Sequence, residues 1–288
     1  MGSTVILPDF VLPSRANQHW QYSGIDSIEH CLNKDHFQSY PHSIEYAYNS
    51  RGYRDAEWPD TLEELKRAIW CFGDSFTVGI GQPFDHIWPQ VLSKKLGRRI
   101  INVSMDGASN DWIVRKLNRV HEVIGPKNIV ILWSYTHRRE LPDADLHDEQ
   151  RRLLSDRDSP QQDDAHWIQL TEQVQNLDSC IVQATIPNFQ STDFRELSHH
   201  WSKIKDPAWP DCPRSLAEFE NLPEYIKQEL KSVFKCYNKF EYSFLNADVF
   251  PGDIIYIKKQ LDWARDYHHF DLLTAQWLVD QICPQLNL

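Results

Sequence analysis

Short apolar runs alternate with stretches of helical period through the middle of the chain, and that alternation restricts the fold more than any other feature. Residues 68–72 (AIWCF) run into Gly73-Asp74-Ser75, Ile100–Ser104 (IINVS) makes a second short strand-like run, and residues 128–134 (NIVILWS) follow without polar-apolar alternation. A strand that is apolar on both sides belongs in a parallel sheet covered on both faces. Between these runs Trp88–Leu96 stops at Gly97, a residue suited to a helix end, and beyond Asp111 the positions Ile113, Leu117, Val120 and Ile124 recur at three- and four-residue steps. Ser109 or Asn110 is placed to cap that second helix. Strand following helix following strand predicts an α/β domain with a parallel sheet.

The pattern resumes later. Residues 142–164 are charged and read as a loop or exposed helix, residues 166–177 as a helix, and residues 180–186 (CIVQATI) as a fourth strand. Residues 187–252 show helical period around 216–240 but no strand-helix repeat, so they are expected to be an insertion. Residues 253–257 (DIIYI) suit a last strand, and Leu272–Ile282 a terminal helix with Leu272, Leu273, Trp277, Leu278 and Ile282 on one side. Residues 1–60, rich in Tyr, His, Asn and Pro, predict an irregular segment packed on a main domain spanning 61–288.

Composition removes several function classes. Thirty Lys and Arg against 41 Asp and Glu leave a net charge of −11, which repels a polyanion, so no nucleic-acid partner is expected. No apolar run approaches the roughly 18 residues of a membrane helix. The N-terminus lacks a basic stretch followed by an apolar one, which argues against a secretory signal and for a cytoplasmic address; Ile6 stands where a myristoylation signal needs Ser or Thr. The six cysteines (Cys31, Cys71, Cys180, Cys212, Cys236, Cys283) form no CxxC pair, and the 13 histidines form no HExxH or HxH. Free thiols, and no structural metal, are the expectation.

Chemistry concentrates at two places. Gly73-Asp74-Ser75-Phe76 directly follows the first strand, where an open parallel sheet binds its ligands. A serine hydroxyl exposed at such a turn becomes a nucleophile when a base removes its proton, and its own backbone N–H can face an oxyanion. The bland reading of the tripeptide is a turn or helix cap. Near the other end, Asp266-Tyr267-His268-His269 precedes the terminal helix. An Asp three residues before a His can hold imidazole Nδ1 and leave Nε2 facing a serine, although two adjacent histidines leave the register open and either suits a solvated loop.

With these residues the chain resembles the SGNH or GDSL-type hydrolases. FGDSFTVGIG (residues 72–81) looks like the nucleophile block of that family, Asp266 and His269 match its closing Asp-x-x-His, and NSRGYRD (residues 49–55) is similar to a segment preceding the nucleophile strand in some members. The likeness covers residues 49–136 and 253–285. It implies a three-layer α/β/α flavodoxin-like domain, a triad of Ser75, His269 and Asp266, and a Gly107 N–H in the oxyanion hole. The third block normally supplies an asparagine from Gly-x-Asn-Asp; here the matching stretch reads WSYTHRRE (residues 133–140), without it. Thr136, His137 and Arg138 are the candidates to act in its place.

The implied activity is hydrolysis of acyl esters through an acyl-enzyme, with a small-molecule or carbohydrate ester as substrate and neither cofactor nor metal. Among the 11 tryptophans, Trp88, Trp112 and Trp133 lie near strand ends and are candidates to stack on sugar rings, with core packing as the bland alternative. The competing reading is a catalytically impaired SGNH-fold binding or assembly protein, favoured by the lost asparagine. A nucleotide switch lacks any GxxxxGK[ST] or GxGxxG phosphate cradle. Oligomeric state stays open.

Overall fold

Every position of the first three long strands is buried, and their sequence explains why: Ile69–Gly73 (β1), Ile100–Ser104 (β2) and Asn128–Trp133 (β3) offer apolar side chains to both faces of the sheet. The computed structural model describes residues 6–140, 152–154, 160–187, 221–233, 253–257 and 260–288. Cys180–Thr185 (β4) and Ile254–Tyr256 (β5) complete a five-stranded sheet ordered β2-β1-β3-β4-β5, parallel throughout. Register runs from Ile69 opposite Ile100 and Asn128 at one end to Gly73 opposite Ser104 and Trp133 opposite Thr185 at the other.

Helices Trp88–Leu96 (α1) and Asn110–Val123 (α2) connect β1 to β2 and β2 to β3. Parallel crossovers are right-handed, so the reversal of direction after β2 sends these two helices to opposite faces. Pro160–Gln175 (α3) packs beside α2, and Leu272–Ile282 (α4) beside α1, giving three layers with a flavodoxin-like strand order. The point where strand order reverses lies between β1 and β3. It is at the carboxyl edge there that Gly73 and Trp133 hand the chain over to loops.

Most expected elements coincide with the observed ones. The α1 helix ends at Gly97 with φ 62°, and Ser109, not Asn110, caps α2 by accepting from Trp112 N. Two local readings need correction, and one open choice is decided. The α4 helix buries Thr274, Ala275, Leu278, Val279 and Ile282, whereas Leu273 is 55% exposed. Asp271 sets that phase as the cap, and Thr274 turns inward because Asp262 accepts its hydroxyl at 2.8 Å. Trp88, Trp112 and Trp133 are all 0% exposed, so they are core and offer no face to a sugar. Arg152–Leu154, expected in a loop or exposed helix, pairs antiparallel with Arg138–Glu140. The expected insertion lies largely outside the described residues, apart from a helix at Glu224–Val233.

The stretch before residue 60 reaches the core. Phe10, Leu12, Tyr53 and Trp58 belong to the same buried cluster as the sheet, while His19–Trp20 and Tyr46–Ala47 form a small antiparallel pair. Arg54 is its deepest cation, 1% exposed. Its guanidinium donates to the carbonyls of Gly79 (2.6 Å), Val78 (3.2 Å), Gln82 (2.8 Å) and Glu45 (3.0 Å) and lies over the Tyr46 ring. This pins the chain just downstream of Ser75. Among the described residues no helix is long and apolar enough to cross a membrane.

Candidate active site

Ser75 opens a one-turn helix, Ser75–Val78, immediately beyond β1. Asp74 caps that turn through Oδ1, which accepts the Phe76 N–H at 3.0 Å. Such a cap stabilises by roughly 1 kcal/mol, and here it also fixes where the serine points.

The tail of the chain returns to meet it. His269 Nε2 lies 2.8 Å from Ser75 Oγ, and His269 Nδ1 lies 2.5 Å from Asp266 Oδ2. The second Asp266 oxygen accepts the backbone N–H groups of His268 (2.9 Å) and His269 (3.0 Å). Burial on its own would raise the Asp266 carboxyl, but the charge on His269 and these hydrogen bonds outweigh it and hold the group below the usual carboxylate range. Ser75, His269 and Asp266 are 4%, 2% and 1% exposed, so the line of hydrogen bonds is shielded from bulk water. The doubled histidine is resolved: His268 Nε2 sits 3.4 Å from the Tyr135 hydroxyl instead.

Two backbone features let the halves approach. Gly81 has φ +75°, and a β-carbon on it would fall 2.9 Å from Ala264 Cβ and 3.0 Å from Asp266 Cγ, so only glycine fits there. Tyr267, between Asp266 and the histidines, takes φ 57°. A left-handed tyrosine costs about 1–2 kcal/mol, and the tight turn it makes delivers both downstream N–H groups to Asp266. The N-terminal segment holds the same loop from outside: Arg265 pairs with Asp26 (2.6 and 2.9 Å), and His36 Nε2 lies 2.9 Å from the Ala264 carbonyl.

The remaining sequence candidates sit around the β1–β3 edge. Gly107 occupies the loop after β2 with φ +76° and open space around its α-carbon, so conformation rather than crowding demands glycine. Thr136 is 1% exposed, and its Oγ1 is buried without a hydrogen-bond partner among the described residues. His137 is partly exposed, its ring 5.5 Å from that of Tyr135. Arg138 Nη1 donates to Asp74 Oδ2 (2.9 Å) and to Ser134 Oγ (2.9 Å), and Ser134 Oγ donates in turn to Asp74 Oδ2 (2.7 Å).

Asn110 was readable only as a possible cap, yet its amide bridges two loops. Its Oδ1 accepts from Ser134 N (2.8 Å), and its Nδ2 donates to the carbonyls of Ser134 (3.0 Å) and Tyr135 (3.4 Å). An amide three residues after Gly107, where the cap was already a serine, was the available signal. Among the described residues, no group of three or more His, Cys, Asp or Glu side chains is arranged to hold a metal ion. An open depression beside Asp111, Arg115, Arg119 and Gln173 lies along α2 and α3, lined by none of the triad residues.

No protein-family model matches the sequence, and no curated protein matches it. Among solved structures, the chain is similar to TesA, with 16% identity over 77% of this chain and 98% of that one and a TM-score of 0.37. It is also similar to the psychrotrophic esterase EstA from Pseudoalteromonas sp., with 14% identity, 76% and 96% coverage and a TM-score of 0.35. A third likeness, to the lipase/acylhydrolase from Enterococcus faecalis, has 14% identity, 77% and 97% coverage and a TM-score of 0.36. In this chain's own atoms, a serine turn follows the first strand of a β2-β1-β3-β4-β5 sheet and an Asp-x-x-His loop precedes the last helix. The layout is that of a flavodoxin-like α/β/α fold.

Proposed function

We propose that this chain is a serine ester hydrolase of the SGNH type. The observation that carries the reading is the unbroken line Ser75 Oγ, His269 Nε2, His269 Nδ1, Asp266 Oδ2, with contacts of 2.8 and 2.5 Å. In this scheme His269 takes the Ser75 proton as the oxygen attacks the ester carbonyl, and Asp266 holds the ring in the tautomer that leaves Nε2 free. The tetrahedral oxyanion is met by the N–H groups of Ser75 and Gly107. The unpartnered Thr136 hydroxyl supplies the donor that the third-block asparagine would give. Collapse expels the alcohol, which takes the proton from His269. Water, deprotonated by the same imidazole, then cleaves the acyl-serine to carboxylic acid and restores Ser75.

For the alcohol we propose a carbohydrate bearing an O-acetyl group. With the strand-end tryptophans in the core, the exposed aromatic faces beside the Asp-x-x-His loop are Trp263 and Tyr267, 39% and 51% exposed, with ring centroids 4.8 Å apart. Broad aromatic faces of this kind suit a sugar ring.

The test is labelling with a fluorophosphonate, which traps an activated serine. Wild type is expected to take one label and Ser75→Ala none, with aryl acetate hydrolysis lost in parallel. Equal labelling of the two proteins, or no labelling and no hydrolysis by wild type, would overturn the reading and favour a binding protein. For the alcohol, acetylated sugars are expected to give higher kcat/KM than simple alkyl acetates, and Trp263→Ala to remove that preference.

A further inference from the structure

One cation touches all three loops of the site. Arg138 Nη1 reaches Asp74 Oδ2 in the nucleophile turn (2.9 Å), Ser134 Oγ in the loop after β3 (2.9 Å), and the carbonyl of Ala108, next to Gly107, at 3.4 Å. The Asp74 side chain is 0% exposed and that of Arg138 14%, and the guanidinium lies 4.7 Å from the centre of the Tyr135 ring. Asp74 therefore divides its carboxylate. One oxygen caps the turn that bears Ser75, and the other is neutralised by a residue 64 positions away.

Resting on the ester-hydrolase reading, we propose that Arg138 is a positioning residue: its contacts hold the Ser75 turn and the Gly107 turn in one register, so that both N–H groups converge on the same substrate oxygen. Arg138 does not touch that oxygen in this scheme; it acts through Asp74. Two physical effects follow. Geometry is the first, since oxyanion stabilisation depends on donors held in advance. The second is charge. An unpaired Asp74 carboxylate beside Ser75 would oppose the negative charge that develops on the substrate, and a buried carboxylate without a partner is costly in itself. Lysine is an incomplete replacement: an ammonium has donors for the acceptors that Nη1 reaches, but it lacks the planar guanidinium face set against Tyr135.

The experiment compares wild type, Arg138→Lys, Arg138→Gln, Asp74→Asn and the double variant Asp74→Asn/Arg138→Gln. Readouts are fluorophosphonate labelling rate, kcat and KM for an aryl acetate, and thermal midpoint. Arg138→Gln is expected to slow labelling and kcat by about tenfold or more, with KM within about twofold, the signature of lost transition-state positioning. Arg138→Lys should recover part of the rate. The double variant, which leaves no orphan carboxylate and so stands in if a single variant fails to fold, should be no slower than Arg138→Gln. Labelling and kcat within about twofold of wild type in Arg138→Gln or in the double variant would overturn this role while leaving Ser75 as nucleophile. A rise in KM at unchanged kcat would do the same. A wild-type protein that takes no label would overturn the hydrolase reading, and this proposal with it.

Discussion

Two guanidiniums flank the turn that carries Ser75, and they are held in opposite ways. Arg54, on the downstream side, is bonded to four backbone carbonyls, with no carboxylate in ion-pair contact among the described residues. Arg138, on the third-block side, is bonded to a carboxylate and a hydroxyl. A carbonyl cage fixes the course of the main chain whatever side chains surround it, and burial holds the Arg54 guanidinium below the usual arginine range, a sign of how fully it is desolvated. A side-chain network depends on the residues that supply it, here Asp74 and Ser134, with one backbone carbonyl, that of Ala108, at 3.4 Å. The downstream region is thus built as scaffold, the third-block region as an adjustable part of the site, and the two should respond differently to substitution.

The sharpest way to break that contrast is Arg54→Met. It would leave the buried carbonyls of Val78 and Gln82 without the guanidinium donor, and that of Gly79 with the Gln82 N–H alone. The expected loss is about 3–5 kcal/mol of stability, read as a shift of the urea midpoint, together with loss of fluorophosphonate labelling under conditions where wild type reacts. A change under about 1 kcal/mol would mean that the cage is incidental.

Thr136→Val probes the other side. Valine matches threonine in shape and removes a buried hydroxyl that has no hydrogen-bond partner among the described residues. Stability should therefore hold or rise slightly. If the hydroxyl donates to the oxyanion, kcat should fall by about 10², equivalent to roughly 2.7 kcal/mol, at nearly constant KM. Unchanged kcat would remove Thr136 from the scheme and leave the hole with backbone donors.

The same division governs what could be read from the amino-acid order. The α1 and α4 bounds and β2 were legible to the residue, because a glycine stop, a terminal periodicity and a short Ile- and Val-rich run are local signals. Ser75, Asp266 and His269 were legible as motifs, and the structure brings them together. Partnerships made at long range were not legible. Nothing near Arg138 announces Asp74, and nothing in NSRGYRD indicates that Arg54 is met by carbonyls rather than by an acid. Periodicity also misjudged faces. Leu273 looked like core because it is apolar, whereas α4 buries Ala275 and Thr274, whose hydroxyl is bonded to Asp262. The three tryptophans are core for two reasons: Trp133 lies on β3, which is covered on both faces, and Trp88 and Trp112 lie on buried positions of α1 and α2.

A last contrast lies between two buried aspartates whose pH dependence runs in opposite directions. Asp55 belongs to the scaffold. It accepts from Arg99 at 2.9 and 2.8 Å and from Asn102 N at 3.1 Å, yet burial outweighs these contacts and pushes its carboxyl up to about 6 from 3.8. The folded state then binds the Asp55 proton more tightly than the unfolded chain does. Its stabilising share is complete below about pH 4 and is lost as pH rises to about 6, a swing of about 3 kcal/mol. Asp266, held low by His269 and by backbone N–H groups, has the reverse sign: its share is present above the ordinary carboxylate value and is lost as pH falls through the lowered one. Urea midpoints of wild type, Asp55→Asn and Asp266→Asn between pH 3 and 7 separate the two. The wild-type advantage over Asp55→Asn should shrink as pH rises, and that over Asp266→Asn should grow. Parallel curves for the two variants would show that the Arg99 pair compensates Asp55 fully, and the scaffold would then carry a settled ion pair in place of a strained acid.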